Sequence, residues 1–87
     1  MNFVDMIMFY GRSNPEKQAI ILIDRIVTFG MLASGIRATE KAILEASIGK
    51  HDVVAVQINN QIRHLIVISA LYRLGNLATK NNSLFLL

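Results

Sequence analysis

Residues 52–75 decide how this chain folds: Asp52-Val53-Val54-Ala55-Val56-Gln57-Ile58-Asn59-Asn60-Gln61-Ile62-Arg63-His64-Leu65-Ile66-Val67-Ile68-Ser69-Ala70-Leu71-Tyr72-Arg73-Leu74-Gly75. The run from Val53 to Ile58 is nearly continuous in β-branched and apolar residues, as in a strand covered on both faces. Asn59-Asn60 then supplies side-chain oxygens able to accept the first N–H groups of a helix. That helix runs from Gln61 to Leu74 and meets a glycine, Gly75, at its stop position. It is apolar nearly all round (Ile62, Leu65, Ile66, Val67, Ile68, Leu71, Leu74), which predicts burial on most sides. A further strand is expected at 76–79. A strand, a crossover helix and a strand make a β-α-β unit with parallel strands.

Working back from this unit, Thr28 is positioned to cap a helix whose apolar residues fall at Phe29, Leu32, Ile36 and Ile43. Ala33 and Ala42 share that face. Arg37, Glu40 and Lys41 fall mainly on the other side, and the helix is expected to end near 47–49. Before it, the β-prone runs 18–23 and 26–28 are separated by Asp24-Arg25, which predicts a hairpin. Asp-Arg is a poorer turn pair than Asp-Gly. Residues 2–10 read as a short apolar helix that ends near Gly11, ahead of a turn at Ser13-Asn14-Pro15. The tail Ser83-Leu84-Phe85-Leu86-Leu87 is apolar throughout and reads as an unfinished phrase. The expected order is helix, β-hairpin, helix, strand, helix, strand. This is an α/β fold with an incomplete layered sheet, a single partial domain over residues 1–87.

Composition sharpens that picture. The chain has 87 residues, of which 53% are hydrophobic and 17% charged, against a typical charged share of about 25%. A chain this short buries only about 60–65% of its unfolded surface. More apolar material is present than it can hide, which predicts an apolar face covered by a second copy or by the remainder of a larger protein. A membrane span is not expected: the longest apolar run without charge, 65–72, falls short of the roughly 18–20 residues required. Asp5 sits where a secretory leader would be basic. With no cysteine, there is no disulfide framework, and a cytoplasmic location is expected. The net charge is +3, but the basic residues are scattered singly, unlike the clustered bases of a nucleic-acid surface.

No constellation for chemistry emerges. His51 and His64 do not have metal-ligand spacing. Glu40 and Glu45 lie on a face expected to be exposed, and no carboxylates form a local pair for acid–base work. No nucleophile elbow surrounds Ser13, Ser34, Ser47, Ser69 or Ser83. Gly49-Lys50 before a strand reads as an ordinary turn rather than a phosphate loop. Met1, Met6 and Met8 read as packing residues. No catalytic, cofactor-binding or metal-binding residue is assigned.

Three phrases taken in order resemble the opening of the adenylate-forming superfamily, which includes acyl-CoA synthetases, luciferases and peptide-synthetase adenylation domains. Asn14-Pro15-Glu16-Lys17-Gln18-Ala19-Ile20 resembles the lead-in to that family's first strand. Val27-Thr28-Phe29-Gly30-Met31-Leu32 resembles its T-Y-x-x-L phrase, with Phe29 for Tyr. Ile48-Gly49-Lys50-His51-Asp52-Val53-Val54-Ala55-Val56 resembles its G-V-x-x-G-D-x-V-A phrase, with Ser47 and His51 in place of the two glycines. Asn59-Asn60, Ala70 and Gly75 match the capped helix that follows, and Lys80-Asn81-Asn82 keeps one asparagine of a Pro-x-Asn. The resemblance covers roughly residues 6–82. It implies the start of the large N-terminal domain of an AMP-forming acid–CoA ligase. The complete enzyme would use ATP, magnesium and coenzyme A to make an acyl-adenylate and then a thioester. The family's phosphate loop, acidic motifs and C-terminal lysine have no counterpart here, so the segment is expected to be a scaffold, inactive by itself. The other reading is a stand-alone small α/β module that binds another protein.

Overall fold

The computed structural model describes residues 2–49, 53–55, 60–75, 77–80 and 83–86. The chain forms two compact units, Met1–Gly35 and Ile36–Leu87, the boundary falling within one helix. The element order is α1 (Phe3–Ser13), β1 (Gln18–Ile21), β2 (Ile26–Thr28), α2 (Phe29–Glu45), β3 (Val53–Ala55), α3 (Gln61–Arg73), β4 (Leu77–Lys80) and β5 (Ser83–Leu86).

In the first unit Asn2 caps α1, its Oδ1 accepting the Asp5 N–H at 2.8 Å, with Asp5 in the first turn and Arg12 in the last, as the helix dipole favours. The helix does not stop at Gly11 as its sequence suggests; it continues to Ser13. Gly11 serves instead as a contact point: a Cβ there would lie 2.4 Å from Ala33 Cβ and 3.2 Å from the Phe29 carbonyl oxygen. Ile7, Val27, Leu32 and Ala33 form the buried centre of this unit. The Tyr10 ring lies against Phe29 with centroids 5.2 Å apart, and the Lys17 ammonium sits 5.6 Å over Tyr10, within cation–π range.

β1 and β2 pair antiparallel, Ile20 with Val27 and Ile21 with Ile26, with an irregularity between Gln18 and Ile20. The strands stop short of the sequence expectation at the turn end. The Leu22 N–H donates to the Arg25 carbonyl at 2.8 Å, so Ile23 and Asp24 make the tip rather than Asp24 and Arg25. Two-residue hairpin turns favour Gly, Asn and Asp, and this sequence offers no such pair to fix the tip elsewhere. Ile23 is left fully exposed.

The second unit holds the rest of α2 and the β-α-β element. β3 and β4 are parallel, Val53 opposite Leu77 and Ala55 opposite Thr79, as the 52–79 pattern predicts. Asn60 caps α3, its Oδ1 accepting the Arg63 N–H at 3.0 Å. Gly75 adopts φ 76° after the helix. Residues 50–52 and 56–59 lie outside the described residues. α3 is less enclosed than its composition suggests: Ser69, Ala70 and Leu71 are buried, while Ile62 and residues 65–68 are half-buried. Ala42, expected inside, is exposed. The tail is a strand: β5 pairs antiparallel with β4, Lys80 opposite Ser83 and Leu77 opposite Leu86. No helix among the described residues is long and apolar enough to cross a membrane.

Candidate functional site

An open groove in the second unit is lined by Arg37, Glu40, Lys41, Leu44, Glu45 and Arg73. Helical spacing puts Arg37, Lys41, Leu44 and Glu45 along one side of α2, and Arg73 reaches in from the last turn of α3. Arg73 Nη1 donates to Glu40 Oε1 at 2.6 Å. Glu40 is therefore not the solvated residue its position on the charged face suggests; its side chain retains only 17% exposure. The partner lies thirty-three positions away, beyond the reach of periodicity. Leu44 is 60% exposed at the groove edge. It is an open surface of mixed charge, with Arg37, Lys41 and Arg73 set beside Glu40 and Glu45.

His64 is half-buried in the first turn of α3, its N–H donating to the Asn60 carbonyl at 2.9 Å. His51 and Lys50 lie outside the described residues. Among the described residues, no three His, Cys, Asp or Glu side chains converge as metal ligands.

What the structure does bring together is two of the sequence phrases. The Phe29 N–H donates to the Lys17 carbonyl at 3.0 Å and the Gly30 N–H to the Pro15 carbonyl at 2.9 Å. A Cβ on Gly30 would lie 2.8 Å from Pro15 Cβ, closer than real side chains allow. The Asn14–Lys17 turn thus docks on the start of α2 and satisfies N–H groups that a helix leaves open. The third phrase gives up its role at Ser47. The Ser47 N–H donates to the Leu44 carbonyl at 3.0 Å and the Ile48 N–H to the Ile43 carbonyl at 3.3 Å. With Ser47 at φ 63°, this is a Schellman ending, whose left-handed residue is usually glycine. At the described residues of these phrases the contacts are backbone hydrogen bonds that fix the two ends of α2.

No protein-family model matches the chain, and no curated protein matches it in sequence. Solved structures do. The N-terminal subdomain of Klebsiella oxytoca NpsA in complex with 3-hydroxybenzoyl-AMSN is 25% identical, with a TM-score of 0.78 over 93% of this chain and 21% of that one. NpsA-ThdA, an artificially fused adenylation–PCP di-domain NRPS from the same organism, is 26% identical, with a TM-score of 0.75 over 92% of this chain and 15% of that one. The N-terminal domain of FACL13 from Mycobacterium tuberculosis, at 19% identity, shares the fold, with a TM-score of 0.75 over 95% of this chain and 22% of that one. The chain spans about a fifth of the N-terminal pieces it matches.

Proposed function

We propose that this chain, which has the fold of an N-terminal segment of the adenylate-forming enzymes, is the scaffold segment of an AMP-forming acid–CoA ligase. The observation that supports this reading is the overlay of nearly the whole chain on part of an N-terminal adenylation subdomain. The docking of the Pro15–Lys17 turn on α2 gives the shared phrases a structural purpose. The complete enzyme would use ATP, magnesium and coenzyme A to turn a carboxylic acid into an acyl-adenylate and then a thioester. The described residues do not fit an ATP–magnesium site: Arg73 is engaged by Glu40, and Glu45 interrupts the cations of the groove. No step of the reaction is assigned to this chain. Its part is to hold a β-α-β layer on which the rest of such a domain can pack, in a cytoplasmic protein. Its partner is either that remainder or a second copy, meeting it through exposed apolar residues.

Isothermal titration of the 87-residue chain with ATP and magnesium tests the scaffold reading. The expected result is no saturable heat. Saturable micromolar binding would overturn it and direct attention to Lys50, His51, Asn59 and Asn60. Reading the natural gene beyond the codon for Leu87 separates the alternatives. A continuing frame with a Gly-rich phosphate loop supports the ligase; an immediate stop favours a stand-alone module that binds another protein through Ile21, Ile23 and Ile26, which are exposed on the hairpin.

A further inference from the structure

Thr28 and Met31 hold each other in a reciprocal pair of contacts at the start of α2. The Met31 N–H donates to Thr28 Oγ1 at 3.2 Å, and the Thr28 N–H donates to Met31 Sδ at 3.5 Å. This is the layout of a capping box, in which the side chain three residues on returns to the N–H of the cap. In the usual box that side chain carries a Glu or Gln oxygen. Here it carries a thioether, a weak acceptor, so the Thr28 N–H is held by the poorest partner the motif can offer. Met31 is also 53% exposed, whereas Met6 and Met8 are half-buried on α1.

Oxidation of a methionine normally harms a fold, because the sulfoxide is polar where the thioether was apolar. At Met31 the change has the opposite sense. The side chain already faces solvent, and its sulfur already rests beside an N–H in want of a stronger acceptor. We propose that Met31 is a peroxide-oxidation site whose sulfoxide tightens the α2 cap. The sulfur lone pair attacks one oxygen of hydrogen peroxide, the O–O bond breaks, and an S–O bond forms. The proton on the transferred oxygen passes to the departing hydroxide, giving water; sulfur loses two electrons and peroxide gains them. Of the two sulfoxide epimers, the one that directs oxygen toward the Thr28 N–H makes the new bond. Reductases specific for one epimer therefore distinguish the tightened form from the other.

The test treats the 87-residue chain with limiting hydrogen peroxide. The tryptic peptide 26–37 contains Met31 as its one methionine, so a single added oxygen is assigned without ambiguity. Met31 is expected to oxidise several-fold faster than Met6 and Met8, resolved by fragmentation of peptide 1–12. Amide hydrogen exchange at Thr28 is expected to slow several-fold in the oxidised chain. Met31→Leu, which keeps the bulk and removes the sulfur, should show Thr28 exchange that peroxide does not change. Equal oxidation of the three methionines overturns the proposal. So does Thr28 exchange that is unchanged or faster after oxidation, or a peroxide response that persists in Met31→Leu.

Discussion

A serine at φ 63° closes α2, and that single backbone angle explains why the related phrase has glycine there. The left-handed conformation crowds a Cβ against the following carbonyl at a cost of about 1–2 kcal/mol, and glycine's greater freedom in the unfolded chain returns part of it. Ser47→Gly is therefore expected to stabilise the chain by roughly 0.5–1 kcal/mol, read as a higher urea midpoint with an unchanged slope. The opposite holds at Gly11, where space rather than angle is limiting. Gly11→Ala places a methyl 2.4 Å from Ala33 Cβ, and overpacking of this kind costs about 1–3 kcal/mol. Adding Ala33→Gly should recover much of the loss, and the double-mutant cycle measures that coupling. Independent effects at the two positions would mean that α1 moves away freely.

Between elements, two contacts can be ranked by magnitude. The Thr28 cap satisfies an open N–H of α2, and Thr28→Ala should cost about 1 kcal/mol. Met31→Gln, which supplies an oxygen where sulfur now stands, should add about 0.5 kcal/mol; thermal denaturation of both variants checks the pair. The Glu40–Arg73 bridge ties α2 to α3, but the Arg73 side chain is 36% exposed. Its coupling is expected to stay under about 1 kcal/mol and to fall as salt is raised. A coupling that is larger and insensitive to salt would show that the groove excludes water more fully than its open shape implies.

For the molecule as a whole, the hairpin raises the question of what covers it. Ile21, Leu22, Ile23 and Ile26 are all exposed, on a two-stranded sheet of a kind that is marginal by itself. We expect the isolated chain to self-associate at micromolar concentration, and Ile21→Thr with Ile23→Lys to shift it toward monomer in light scattering. A soluble wild-type monomer would refute the argument from excess apolar surface. Much of the architecture was already determined by sequence. Thr28, Asn60 and Gly75 mark helix ends by local hydrogen bonding and backbone freedom, and 53–79 has the signature of parallel β-α-β structure, because these signals act within a few residues. What the sequence left undecided depends on partners far along the chain. Tertiary structure alone decided that Gly11 is a contact point rather than a helix stop and that Glu40 belongs to Arg73. In each case the deciding neighbour is brought near only by folding, where close packing acts, and no periodicity in the sequence reports it.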